Sequence, residues 1–238
     1  MPFDIFYKGY VLNTKRNIVL RARGLHKIFE SGGRMLEVLD NINMDVSRGE
    51  LVAIMGASGV GKSTLLHILG ALDQPTSGEL NIIGKNVFEM SLDKQARFRN
   101  KHIGFVFQHH HLLPEFTALE NVLFPALIAG KSDELYGRGI ELLETVGLRE
   151  RMSHRPDQLS GGECQRVAVV RAIIMSPDVV LADEPSGNLD TTNSESLHSL
   201  LRIMAEKDRQ AFVIMTHDIK LAEQMDRCGY LEDGCVHF

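Results

Sequence analysis

No stretch of this 238-residue chain reaches the roughly 18 consecutive apolar residues needed to cross a bilayer. The nearest candidates fail early: "VAVVRAIIM" is short and contains Arg171, and "VLFPALIAG" is short and contains Pro125. The start, "MPFDIFYKGYVLNTKRN", has no apolar central run and carries Asp4 and Lys8, so it does not read as a secretory signal. Cysteine is scarce. Cys164, Cys228 and Cys235 make neither a Cys-x-x-Cys pair nor a disulfide framework, which points to reduced thiols in a cytosol. Basic charge is not in excess either, and a net charge of −5 argues against a dedicated nucleic-acid binder. Low-complexity segments and internal repeats are also missing. These absences leave a chain expected to be soluble by itself, which would need a partner to hold it at a membrane.

What is present is an ordinary globular balance, 44% apolar and 24% charged, in a chain long enough to bury a core. Residues 1–16 read as an extension, and 17–238 as the folded domain. From there to about Phe107 the pattern is mostly strand, including "NIVLRARGLHKIF", "VLDNINMDV" and the continuous apolar run "LVAIM". "STLLHILGALD" predicts a helix with Leu65, Leu66, Leu69 and Leu72 on one face. "ELNIIGKNVF" reads as a hairpin and "HIGFVFQ" as a buried strand. Residues from about 109 to 160 change character. A capping box at Thr117 and a helix closing at Gly147 predict an inserted helical lobe. Beyond it, "QRVAVVRAIIM", "VVLAD", "SESLHSLLRIMAE" and "AFVIMTH" alternate helix with strand, and "YLEDGCVHF" fits a hairpin turning at Asp233-Gly234. The expected fold is α/β, a P-loop NTPase core with a mostly parallel sheet, an N-terminal antiparallel β subdomain and the helical insertion.

"GASGVGKST", Gly56 to Thr64, satisfies G-x-x-x-x-G-K-[ST] between a buried strand and an apolar-faced helix. Its residues Gly56, Ala57, Ser58, Gly59, Val60 and Gly61 would turn successive backbone N–H groups toward phosphate oxygens. Lys62 would contact the β- and γ-phosphates, the Ser63 hydroxyl would join a Mg²⁺ shell, and Thr64 completes the motif.

"VVLADE" runs an apolar strand straight into two carboxylates, which must face solvent or a cation because burying them unpaired is costly. In P-loop NTPases the first such Asp serves Mg²⁺, which assigns that role to Asp183. Glu184 is then placed to orient or deprotonate an attacking water. Gln108 and His217 follow two other strands, and ligands in open α/β sheets sit beyond the carboxyl ends of strands. A Gln amide suits water and Mg²⁺, and an imidazole suits a γ-phosphate oxygen; taken singly each reads as a polar loop residue, and their value comes from the set. Three adjacent histidines, His109 to His111, point to alternating faces on extended chain and are read as loop beside Gln108.

A second glycine pair stands in "LSGGE". Ser160 and Glu163 form a capping box, but Gly161 and Gly162 in a first helical turn cost up to about 1 kcal/mol each against alanine. They leave backbone N–H groups open at the positive end of a helix, which suits an anion. This half site has no lysine or magnesium carboxylate of its own, so it is expected to complete the cradle of another copy.

Taken in order, "GASGVGKST", Gln108, "LSGGE", "VVLADE", "SGNLD" and His217 resemble the ATP-binding-cassette ATPases over roughly residues 17–238. That resemblance implies ATP and Mg²⁺ as cofactors and a homodimer in which each nucleotide lies between one cradle and the other copy's signature. It also implies that Phe29 stacks on adenine and that Asp190 couples the two sites. Without that resemblance, Phe29 reads as core or hairpin packing. "FVFQHHHLLPEFTALENV", "LGALDQPTSG", "HRPDQLSGGE" and "LADEPSGNLD" resemble most the LolD-type cassettes of lipoprotein-releasing systems, with MacB-type export and FtsE-type division cassettes as neighbours. Cys164, Phe29 and Ser186 depart from that subgroup's usual residues and remove no catalytic group. The resemblance implies integral membrane permease partners of the LolC/LolE kind and a peripheral place on the cytoplasmic side of a bacterial inner membrane.

Overall fold

The computed structural model describes residues 17–238, so the extension expected at 1–16 lies outside the described residues. Strands β1 (Ile18–Ser31) and β2 (Arg34–Ser47) form a long antiparallel hairpin. With β4 (Ser77–Ile82) and β5 (Lys85–Asn86) they make a four-stranded sheet in the order β2-β1-β4-β5. The second sheet holds β3 (Leu51–Met55), β6 (Ile103–Val106), β7 (Val179–Asp183), β8 (Ala211–Thr216), β9 (Arg227–Glu232) and β10 (Cys235–His237). Its order is β10-β9-β3-β8-β7-β6, parallel throughout except for the terminal β9–β10 hairpin.

Continuous apolar runs are required here because both faces of this sheet are covered. Val179, Leu181, Val213 and Met215 face one core with Leu65, Leu69 and the antiparallel sheet's Leu20, Ile42 and Leu80. Val180, Ala182, Phe212 and Ile214 face the other, with Val122, Val167, Val170 and Leu201.

Among the described residues there are seven α-helices, α1 (Lys62–Leu69), α2 (Leu92–His102), α3 (Ala118–Ile128), α4 (Ser132–Thr145), α5 (Gly161–Ile173), α6 (Thr191–Asp208) and α7 (Ile219–Glu223), and two single-turn 3-10 helices, Arg149–Arg151 and Pro156–Gln158. Helix α3 starts on the expected capping box, where Glu120 N donates to Thr117 Oγ1 and Thr117 N donates to Glu120 Oε2. Helix α4 closes at Gly147, whose φ of 73° is the left-handed stop a glycine provides. Buried Asn121 sews the preceding loop to α3, its amide donating to the carbonyls of Leu113, Phe116 and Thr117.

Two expectations need correction. Leu72 does not share the buried face of α1, because the helix stops at Gly70 and Leu72 is 48% exposed. Any β-carbon at Gly70 would meet the Phe105 ring at 2.4 Å, so that glycine is fixed by packing. Helix α2 interrupts the region read as mostly strand. It buries only Gln95 and Phe98, so it carries no apolar stripe to betray it.

Candidate functional site

Each half of the site is placed at the carboxyl end of a parallel strand. Beyond β3 the chain must turn tightly: a β-carbon on Gly56 would stand 2.7 Å from the Leu231 carbonyl oxygen. At Gly61 φ is 109°, and a β-carbon there would stand 2.8 Å from Val38 Cγ1. Helix α1 therefore opens on a residue with no side chain, and its first turn has neither a side-chain cap nor an acidic residue. Its positive end is left for an external anion.

Lys62 is folded back across this loop, Nζ donating to the carbonyls of Gly56 at 2.7 Å and Ala57 at 3.0 Å. Ser63 Oγ donates to Asp183 Oδ2 at 2.8 Å, joining α1 to the end of β7. The hydroxyl and carboxylate form an all-oxygen pair of the kind a hard divalent cation takes, so these residues fit Mg²⁺.

Glu184 follows in left-handed backbone, φ 45°, with its N–H donating to the Met215 carbonyl. Its Oε1 lies 2.9 Å from His217 Nδ1 and 3.9 Å from Lys62 Nζ. Its Oε2 accepts from Thr216 Oγ1 and from His217 N, each at 3.3 Å. Gln108 stands beyond β6, and its amide donates to Asn188 Oδ1 at 3.4 Å while Asn188 Nδ2 donates to the Gln108 carbonyl.

One cavity of about 720 Å³ gathers Gly56, Ala57, Ser58, Gly59, Gly61, Lys62, Ser63, Thr64, Gln108, Asp183, Glu184 and His217. The sequence had singled out all of these. It had missed Val38, which walls the cavity from β2, and Asn188, which holds Gln108. Asn188 lies inside "SGNLD" and was within reach; nothing local marks Val38.

The remaining candidates stand elsewhere in the single chain. Val60 packs into the core below the loop. Phe29 is half exposed near the end of β1 with Lys27 Nζ 4.8 Å from its ring centre, and does not line the cavity. Ser160 caps α5, its Oγ accepting from Glu163 N, while Glu163 Oε2 accepts from Ser160 N. The Ser160 N–H holds the Glu163 carboxyl below its ordinary value, with partial burial opposing. Asp190 caps α6, accepting from the backbone and side chain of Asn193. Gly161 meets nothing within 4 Å, while a β-carbon on Gly162 would stand 2.8 Å from Asn193 Oδ1. A smaller hollow of about 170 Å³ runs between Gln108 and Gly161 past Gln165 and Leu189. Cys164 is buried, and that burial pushes its thiol pKa up, so it is a packing residue.

A phosphate-binding loop, a hydroxyl–carboxylate pair and a carboxylate–imidazole pair on parallel strand ends define a nucleoside-triphosphate hydrolase. A family model described as "ABC transporter" matches residues 39–187, and the chain belongs to that family as an ATPase subunit. Among curated proteins it is 50% identical over 220 residues to the lipoprotein-releasing system ATP-binding protein LolD of Idiomarina loihiensis, covering 92% of this chain and 96% of that one. It is 52% identical over 219 residues to LolD of Bacteroides fragilis, covering 92% and 100%. Among solved structures, the dimeric post-hydrolysis state of the ATP-binding cassette MJ0796 bound to ADP and Pi superposes with a TM-score of 0.84 at 38% identity, covering 92% of this chain and 97% of that one.

Proposed function

We propose that this chain is the ATPase of a lipoprotein-releasing complex. It would act as a homodimer on the cytoplasmic side of a bacterial inner membrane, against integral permease subunits of the LolC/LolE kind. The observation that carries this reading is the likeness to LolD proteins, about half identical along nearly the whole of both chains. No helix among the described residues is long and apolar enough to cross a membrane, in keeping with attachment through a partner.

In this reading the loop N–H groups of 56–64 and the Lys62 ammonium bind the β- and γ-phosphates of ATP. Releasing Nζ from its two carbonyls frees it to do so. Ser63 and Asp183, with Gln108, would hold Mg²⁺, whose charge would offset that of the triphosphate. Glu184 orients a water in line with the γ-phosphorus and takes its proton on the carboxylate. A bond forms from the water oxygen to phosphorus, the bond to the ADP oxygen breaks, and phosphate and ADP leave. The His217 imidazole contacts the γ-phosphate. Ser160, Gly161, Gly162 and Glu163 of one copy close over the nucleotide of the other, Asp190 couples the two sites, and Phe29 stacks on adenine.

The test is to purify the membrane complex and reconstitute it in proteoliposomes containing a lipoprotein. ATP should release lipoprotein to an acceptor, and the Glu184→Gln complex should not. Co-purification with a membrane partner that hydrolyses ATP but transfers no lipoprotein would overturn the reading in favour of a division-type or export-type cassette.

A further inference from the structure

Glu184 and His217 are delivered by two separate loops, one after β7 and one after β8. One buried side chain reaches residues of both. His198, on α6, is 2% exposed, and its Nε2 lies 3.2 Å from Ser186 Oγ and 4.0 Å from Asp218 Oδ2. Ser186 is two residues past Glu184, and Asp218 follows His217 directly.

A chain of contacts joins the two loops. Asp218 N donates to Thr216 Oγ1 at 3.0 Å, and Thr216 Oγ1 donates to Glu184 Oε2 at 3.3 Å. Asp218 Oδ1 accepts from Lys220 N and Leu221 N, which fixes its carboxylate as the cap of α7 and leaves Oδ2 toward His198. From Glu184, hydrogen bonds therefore run through Thr216 to Asp218, whose carboxylate lies 4.0 Å from His198 Nε2, and the same nitrogen meets Ser186 on the Glu184 loop. His198 also lines a cavity of about 480 Å³ with Glu184, Ser186, His217 and Asp218. Its Nδ1 is buried and has no hydrogen-bond partner. An unpaired buried nitrogen is costly, and an apolar side chain would fill the same space without that cost.

We infer that His198 is a positioning residue for ATP hydrolysis, holding the Glu184 and His217 loops in mutual register through Ser186 and Asp218. The inference rests on the roles given above to Glu184 and His217. Glu184 needs such a brace because its backbone sits in the left-handed region, which a non-glycine residue keeps only when its surroundings enforce it. The charged groups facing His198 are Asp218 from the loop after β8 and Glu195 from its own helix, with Glu184, His217 and Lys220 around the same cavity. Burial pushes the imidazole below its ordinary value, against the pull of those two carboxylates, so it is uncharged at neutral pH.

The experiment measures steady-state ATPase kinetics, folded fraction and pH profile on the purified membrane complex. His198→Leu keeps the volume and removes the tie. It should lower kcat about tenfold while leaving the KM for ATP within about twofold and thermal stability unchanged or raised. His198→Gln, which restores a side-chain amide toward Ser186, should recover most of kcat and lose part of the wild-type fall in rate at acidic pH. Ser186→Ala should reproduce the His198→Leu loss, and the double variant should be no worse than either single one. A His198→Leu complex with wild-type kcat, or a His198→Gln complex as slow as His198→Leu, overturns the inference. If Glu184→Gln and His217→Ala complexes turn over normally, the site assignment falls and this inference with it. If they are inactive while His198→Leu is normal, this inference alone falls.

Discussion

Gly162 and Asn193 touch so closely that no β-carbon fits between them: one built on Gly162 would stand 2.8 Å from Asn193 Oδ1. Asn193 in turn is held by Asp190 through both its backbone and side-chain nitrogens. The start of α5 is thus packed onto the start of α6, whereas Gly161, one residue earlier, faces open space. The two glycines of "LSGGE" have different reasons to be there.

Alanine at each should separate those reasons. Gly161→Ala should leave the fold intact and raise stability by up to about 1 kcal/mol, as alanine does in a helix. ATPase activity should nevertheless collapse if this face receives the partner's nucleotide. Gly162→Ala should lower both stability and activity, because Asn193 must give way. Thermal melts alongside ATPase assays on both variants check this; equal behaviour would dissolve the distinction.

The carboxylate of Glu184, gripped by His217 and Thr216, should be dispensable for binding and required for turnover. Glu184→Gln preserves shape and removes the base, so hydrolysis should drop at least about a hundredfold, within the span attributed to positioned acid–base groups. ATP binding should persist, and sedimentation with ATP should show a tight dimer. Monomers under those conditions would remove the two-copy sandwich from the mechanism.

Ser63 bonds Asp183 directly, so removing its hydroxyl leaves the carboxylate without its neighbour at the cation position proposed above. Ser63→Ala should raise the Mg²⁺ concentration needed for half-maximal ATPase by about tenfold or more, as the loss of one ligand would. Nucleotide binding without Mg²⁺ should change little. Magnesium titration of the rate decides it.

Both capping boxes bear on acid stability. The backbone and side chain of Thr117 hold Glu120 below the ordinary carboxyl value of 4.5, despite slight burial, and Ser160 does the same for Glu163. A carboxyl depressed in the folded state stabilises fully above its unfolded value, and that stabilisation is lost as pH falls through the folded value. Melting temperature should therefore decline below about pH 4.5. The gap between wild type and a Glu120→Gln, Glu163→Gln variant should close over the same range. A gap that stays constant with pH would remove these carboxylates from the acid transition.

Much of this site was legible because its chemistry is local. A lysine in a glycine turn, a carboxylate pair ending an apolar strand and S-x-x-E before an apolar run each fit within ten residues. The Asp233-Gly234 turn was equally plain, and both residues have positive φ. What escaped depends on distant partners. Val38 walls the cavity because β2 passes Gly61, and His198 matters because it reaches residues of two loops. Helix α2 hid because its buried residues are too few to form a stripe, and Leu72 misled because the chain leaves α1 at Ala71 in left-handed backbone, φ 51°, directly after a Gly70 that the distant Phe105 ring keeps free of a side chain.

The signature turn at Ser160 stands outside the cavity that holds Lys62 in the same chain. On the two-copy reading proposed above, an isolated subunit has half a catalytic centre, however well folded it is. Free of its permease, the protein should turn over ATP with a specific rate that falls on dilution, second order in subunit. The membrane partner, by keeping two copies side by side, would supply local concentration as much as it receives force.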